Sequence, residues 1–106
     1  MANKKPSSSY SEDLSHRLKD AEYAVEYLRA TLEESDMPEL FLVALRNVAE
    51  SHGISQVAEQ TELNRESLYR MLSKEGNPTI KSLYAVLDAL GLRLSIESKE
   101  PSDKAS

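Results

Sequence analysis

Two arginines in the middle of the chain carry side chains that could bind nucleic acid. Arg65 and Arg70 belong to the run NRESLYR, which covers residues 64–70. An arginine guanidinium can donate two hydrogen bonds to O6 and N7 of a guanine, and it also binds phosphate. Asn64 and Ser67 lie at the start of the same run, where the free amides of a helix N-terminus favour an anion. These residue types predict a helix that contacts DNA.

A helix-turn-helix arrangement would position this run. Periodicity predicts a short helix over about 55–61, which Ser55 can cap. A second short helix is expected over about 65–72, with Asn64 as its N-cap. The intervening residues 62–64 form a tight turn. The second helix of such a pair can lie in the major groove, with its N-terminal residues at the base edges.

Further polar residues follow this unit. Lys74, Asn77 and Lys81 are placed for contacts with the DNA backbone around the next loop. Residues 54–82 carry four basic and four acidic side chains, so charge does not decide between a DNA-binding unit and a plain packed helical bundle. Glu66 could accept a hydrogen bond from a cytosine amine or could simply be solvated. These alternatives remain open at the level of the residues.

Three longer helices are expected to support the unit. Apolar residues at helical spacing predict a helix over about 20–34 and another that begins near Pro38 and ends at Gly53. The last helix is capped by Thr79 and ends at Gly91. Together with the two short helices, they predict an all-α domain of five helices.

The run Leu92–Glu97 alternates apolar and polar residues and predicts a short C-terminal β-strand. A single strand leaves its edges unpaired, so it needs a partner from a second copy of the chain or from another protein. The alternative is an extended segment packed on the core.

Composition sets the limits of this domain. The chain has 106 residues, which is enough for one domain at residues 13–97. Residues 1–12 and 98–106 are polar and predict disordered tails. The net charge of −5 excludes a globally basic nucleic-acid binder but not a local basic face. No apolar run resembles a membrane span or a signal peptide, so we expect a cytoplasmic protein.

Catalytic chemistry has little support. The two histidines, His16 and His52, lie in different elements without metal-ligand spacing, and there is no cysteine for a disulfide or a zinc site. The sequence contains no glycine-rich phosphate loop. We therefore expect no enzymatic activity, no metal and no cofactor.

The segment LFLVALRNVAESHGISQVAEQTELNRESLYRMLSKEGNPTIKSLYAVLDALGLRLSIE resembles the addiction-module antidote family, HigA-like antitoxins with a Cro/lambda-repressor type helix-turn-helix. The matching pieces are ALRNVAESHGISQVAEQTELNRESLYRMLS, GNPT and LDALGLRL, and the similarity covers roughly residues 13–97. The resemblance implies an antitoxin that pairs with a RelE/ParE-like ribonuclease toxin and, as a dimer, represses its own operon. Glu62 departs from the family, which usually has glycine there; in a turn with positive φ, glutamate costs roughly 1 kcal/mol.

The resemblance assigns recognition-helix roles to residues that the chemistry had partly singled out, namely Arg65, Glu66, Ser67, Tyr69 and Arg70. The complete set of candidate DNA-binding residues is Ser55, Asn64, Arg65, Glu66, Ser67, Tyr69, Arg70, Lys74, Asn77 and Lys81.

The resemblance also suggests a use for the acidic first half of the chain. Glu22, Glu26, Glu33 and Glu34 could meet a basic toxin, although a solvated helix face is the plain alternative. Two other functions remain open, a phage-type repressor without a toxin and a helical module that binds only protein. A homodimer is expected because one helix-turn-helix covers one half-site. The last helix and the segment 92–97 are the candidate interface.

Overall fold

The computed structural model describes residues 6–34 and 36–99 of the chain. This part is helical and contains no strand. Its six helices are α1 (Pro6–Arg17), α2 (Ala21–Glu33), α3 (Pro38–His52), α4 (Ile54–Thr61), α5 (Arg65–Met71) and α6 (Ile80–Ala89). The expectation of an all-α fold is therefore confirmed, and the helix count of five is wrong.

Helix α3 lies at the centre of the packing and contacts α1, α2 and α4, while α4 also packs on α5 and α6. Its side chains at helical spacing, among them Leu45 and Val48, point into one continuous core. Burying an aliphatic side chain of this size contributes about 1.5–3 kcal/mol to the free energy of folding. The largest fully buried side chains come from four helices and the residue after α5: Leu45, Val57, Leu68, Leu72 and Val86.

Two side-chain caps and a proline mark where three of the helices begin. Asp20 accepts a hydrogen bond from the Glu22 amide at the start of α2. Thr79 accepts one from the Ser82 amide at 3.0 Å at the start of α6, as expected from the sequence. Pro38 stands in the first turn of α3, where its missing amide hydrogen leaves no bond unmade.

Helix α1 contradicts the interpretation of residues 1–12 as a tail, because residues 6–12 are helical. The C-terminal end of α1 packs on the core through Leu14, and Leu18 just beyond it is buried. The Ser51 hydroxyl of α3 donates to the Ser15 carbonyl, which ties the two helices together. Composition alone misses this helix because its contacts with the core come from its C-terminal half, after the polar residues 6–12. Residues 1–5 lie outside the described part.

The structure of the single chain does not support the expected C-terminal strand: residues 92–97 form neither helix nor strand. A strand requires a neighbouring strand for its backbone hydrogen bonds, and the described chain supplies none. Instead, Leu92 packs against the core, and the guanidinium of Arg29 lies 3.8 Å from the Glu97 carboxylate. This is the alternative of an extended segment on the core. The expected tail 98–106 lies outside the described residues except for 98 and 99, which are irregular.

In the first turn of α6, the apolar side chain of Ile80 is exposed rather than buried. In the described part of the chain, no helix has the length and apolarity needed to cross a membrane.

Candidate nucleic-acid interface

Helices α4 and α5 are joined by a turn of residues 62–64, as the sequence predicted. The amide of Leu63 donates to the Ala58 carbonyl at 3.1 Å, which closes the end of α4. Glu62 adopts φ 63° and ψ 25°, the left-handed conformation that side chains with a Cβ disfavour. It is the one non-glycine residue with positive φ in the described part of the chain. The turn keeps this geometry without the glycine that would adopt it easily.

The start of α5 is held by Asn64. Its Oδ1 accepts a hydrogen bond from the Ser67 amide at 2.7 Å, which confirms the expected N-cap. Such a cap contributes about 1 kcal/mol to stability. The cap also occupies two of the groups that the sequence offered for a phosphate, the Asn64 carbonyl oxygen and the Ser67 amide. The Asn64 side-chain nitrogen and the Ser67 hydroxyl are not used by the cap and remain for an added ligand.

The buried side of α5 determines which residues face outward. Leu68 and, just after the helix, Leu72 are completely buried and anchor it in the core. Arg65, Glu66 and Arg70 are therefore exposed. A short helix with its apolar side in the core presents these charged side chains to any molecule that approaches the other side.

Arg70 is held only weakly within the protein. Its Nη2 lies 4.0 Å from Oε2 of Glu66, one helical turn earlier, and both side chains are largely exposed. An exposed pair of this spacing contributes about 0.3–0.5 kcal/mol. A phosphate or a base edge can therefore compete with Glu66 for the Arg70 guanidinium.

Tyr69 connects α5 to α3 instead of facing outward freely. Partial burial and a hydrogen bond to the Glu50 side chain raise the pKa of Tyr69 above 10.0, while the nearby Arg65 and Arg46 oppose this rise. Sequence reasoning missed Arg46 and Glu50, which lie on α3. Their i, i+4 spacing on one face of α3 was the available signal.

The loop after α5 folds back onto the end of that helix. A Cβ on Gly76 would lie 1.9 Å from the Met71 carbonyl oxygen, so only glycine fits at this position. The Gly76 amide donates to the Ser73 carbonyl at 2.9 Å. This tight return keeps the exposed Lys74 and Asn77 next to the C-terminal end of α5.

Two other candidates lie near this unit. Lys81 is exposed in the first turn of α6. Ser55 is exposed inside the first turn of α4, but the expectation that it caps this helix is wrong, because the N-cap is Gly53 and makes no side-chain bond. A helix that begins one residue earlier than expected places Ser55 within it.

The acidic candidates lie on α2 and just after it. Glu22 and Glu26 are exposed. Glu33 is already paired, since its carboxylate lies 3.4 Å from the guanidinium of Arg29. Glu34 is the exposed C-cap of α2. The structure thus divides the set into two residues on α2 that face solvent and two at its C-terminal end, one of which is neutralised locally.

Metal binding has no geometric support in this part of the chain. Within residues 6–34 and 36–99, no three His, Cys, Asp or Glu side chains come together as a group that could hold an ion.

Comparison with known proteins agrees with the resemblance to the addiction-module antidote family. The model of a family described as "Probable addiction module antidote protein" matches residues 9–98. A protein of Haemophilus influenzae, described as an uncharacterized protein, is 35% identical over 85 residues, which cover 80% of this chain and 87% of that protein. No solved structure matches the chain significantly. An antidote of an addiction module implies a toxin of some kind as its partner. The chain belongs to the family of probable addiction module antidote proteins.

Proposed function

We propose that this chain is the antitoxin of a type II toxin–antitoxin module and represses its own operon by binding operator DNA in the cytoplasm. In this proposal α4, the turn and α5 form a helix-turn-helix of the Cro/lambda-repressor type, and α5 is the recognition helix. The observation that carries the DNA-binding function is the outward placement of Arg65 and Arg70 on a helix anchored by Leu68 and capped by Asn64.

The residues have different roles in the complex. Arg65 and Arg70 contact base edges or phosphates, because a guanidinium suits both. Lys74, Asn77 and Lys81 contact the DNA backbone beyond the end of α5. Tyr69 acts mainly by orienting α5, since its hydroxyl is bonded to Glu50 of α3. The short α5 enters the major groove with its first turn, and a homodimer places two such helices on a two-fold related operator.

Titration of the full chain against its own promoter fragment at two salt concentrations tests this function. We expect Arg65→Ala and Arg70→Ala to weaken binding by about 1–3 kcal/mol, and Lys74→Ala to reduce the salt dependence by about one charge. Arg29→Ala is the matched control, because Arg29 is also an exposed arginine but lies on α2, outside the proposed DNA surface. Equal affinities for the wild type and for all three of these arginine variants would reject DNA recognition by α5 and favour a module that binds only protein.

The toxin partner is proposed to be a basic ribonuclease of the RelE/ParE-like class. Support comes from the family, which implies a toxin, and from the exposed carboxylates of Glu22 and Glu26 on α2. Charge complementarity of this kind accelerates association and fixes orientation. Glu33 and Glu34 would extend the acidic contact toward the end of α2.

Co-expression with a basic reading frame adjacent in the genome tests the toxin assignment. We expect the two chains to co-purify, and Glu22→Lys with Glu26→Lys to slow association while operator binding persists. Operator binding without any such neighbour or co-purifying chain would instead indicate a stand-alone repressor.

A further inference from the structure

The segment after α6, residues 92–97, leaves apolar side chains uncovered. Leu92 is attached to the domain, because its amide donates to the Leu87 carbonyl at 2.8 Å and its side chain packs on the core. The apolar side chains that follow are exposed to solvent: Leu94 is 39% exposed and Ile96 is 97% exposed. Exposed apolar side chains at alternating positions are typical of a β-strand that buries one face against another surface.

The backbone of the same segment is also unpaired. Within the described part of the chain, residues 93–97 form no backbone hydrogen bond. Their amides and carbonyls are therefore a free edge that can pair with another extended segment.

The segment borders a groove of about 530 Å³ beside α2. The apolar part of its wall includes Val25, Leu28, Leu32, Phe41 and Leu94. Leu32 is itself 53% exposed. An added strand at residues 92–97 would therefore continue an apolar surface that the single chain leaves open.

We propose that this segment pairs, in antiparallel orientation, with residues 92–97 of a second copy of the chain, in a register centred on Ser95. Facing residues of an antiparallel pair point to the same side. To keep Leu92, Leu94 and Ile96 on one side, the two-fold axis must pass through a residue rather than between two residues.

Charge then selects the register. With the axis at Ser95, Leu94 faces Ile96 of the second copy, and Arg93 faces its Glu97, twice per dimer. With the axis at Leu94, Arg93 faces serine and Glu97 faces glycine, so neither charge is matched. Opposite charges across a strand pair stabilise it. The present contact of Glu97 with Arg29, at 3.8 Å and exposed, is weak enough to be replaced.

The segment is thus complementary to itself in both apolar pattern and charge, which points to a second copy as its occupant rather than an unrelated partner. The inference deepens the homodimer of the proposed function by naming its interface. Pairing is measured without DNA, so its failure and the failure of operator binding are separate results.

The oligomeric state of the full chain tests the interface. Light scattering over a dilution series is expected to give two chains per particle, with Ile96→Ser raising the dimer dissociation constant at least about tenfold. Ile80→Ser is the matched control, because it removes the same side chain from another exposed site, on α6. One chain per particle for the wild type at about 100 μM, or loss of the dimer with Ile80→Ser alone, would overturn the proposal.

Disulfide cross-linking tests the register, because the chain has no native cysteine that could form a competing disulfide. With the axis at Ser95, the two copies of this residue face each other at a Cβ separation of about 4.5–5.5 Å, near the span of a disulfide. Ser95→Cys is therefore expected to cross-link under mild oxidation, whereas Leu94→Cys is not. Cross-linking of Leu94→Cys alone would reject this register.

A charge exchange gives a second measure of the same register. Arg93→Glu alone is expected to weaken the dimer, and adding Glu97→Arg to restore it, because the facing charges are again opposite. A double variant weaker than both single variants would contradict the pairing of Arg93 with Glu97.

Discussion

At the scale of single residues, Tyr69 links α5, the proposed recognition helix, to α3. A hydrogen bond to Glu50 of α3 helps to raise the pKa of its hydroxyl, and Arg65 and Arg46 lie close enough to lower it. The groups that orient the helix and the groups proposed to contact DNA are therefore neighbours in one cluster.

Tyr69→Phe is expected to lower the free energy of unfolding at pH 7 by about 1 kcal/mol, the value of one hydrogen bond. The pKa of Tyr69 is raised by burial and by Glu50, so the folded value exceeds the unfolded value of 10.0. The stabilisation is complete below about pH 10 and is lost as the pH rises through the folded pKa. Chemical denaturation between pH 7 and 11 should show the difference between wild type and variant shrinking above pH 10.

The control for this experiment is Tyr84→Phe, which changes an exposed tyrosine on α6. It should leave the curve of stability against pH close to that of the wild type. A difference between wild type and Tyr69→Phe that stays constant from pH 7 to 11 would show that the hydroxyl makes no such contribution.

Glu62 stores strain in the turn before α5. Its φ of 63° is the conformation that glycine adopts without cost. Glu62→Gly is expected to raise the free energy of unfolding by roughly 0.5–1 kcal/mol, the relief of strain less the added entropy of an unfolded glycine. Thermal unfolding measures it, and Glu59→Gly, within α4, should lower stability by about 1 kcal/mol. Equal losses for both variants would contradict a strained turn.

At the scale of elements, the parts predictable from sequence are those whose signals are local. Asn64 and Thr79 cap α5 and α6 as expected because a cap needs only its own next three residues. Helix α1 was missed because Leu18, the residue just after it, packs in a core whose other residues lie far away in the sequence. The segment 92–97 has a strand pattern, but a strand also needs a partner, which no pattern within one segment supplies.

The same distinction applies to the site. Exposed arginines on α5 followed from helical periodicity, since the apolar residues Leu68 and Leu72 had to face the core. The contact between Tyr69 and Glu50, and the approach of Gly76 to Met71, join separate elements. Such contacts depend on how helices pack, so residue types and spacing do not reveal them.

Asn64 has a structural role and a proposed DNA role, and a second cap separates them. Asn64→Ala and Asp20→Ala each remove one bond from a side chain to a helix amide, so each should lower stability by about 1 kcal/mol. Only Asn64→Ala changes the proposed recognition helix, and it alone is expected to weaken operator binding in a titration, because Asp20 caps α2, which carries no proposed DNA contact. If Asp20→Ala weakens binding as much, the effect comes from general loss of stability.

At the scale of the whole molecule, the acidic excess lies mainly outside α5. The chain has a net charge of −5; α5 exposes Arg65 and Arg70 beside Glu66, so its surface is balanced, while the exposed charged residues of α2 are mostly glutamates. Acidic groups elsewhere reduce non-specific attraction to DNA, so affinity depends on local contacts. In the proposed function, the arginines of α5 contact DNA and the glutamates of α2 contact a basic toxin, so the two partners use different elements of one molecule.

The dimer links the two proposals, because a single recognition helix covers only one half-site. Ile96→Ser lies outside the proposed DNA surface, so it should leave affinity for a fragment with one half-site unchanged. Affinity for the full operator should fall at least about tenfold, because the second half-site is then bound independently rather than by a linked helix. Titration of both fragments measures this, with Ile80→Ser as the control. Equal affinity of the Ile96→Ser variant and the wild type for the full operator would mean that the copies bind the two half-sites without contact through residues 92–97.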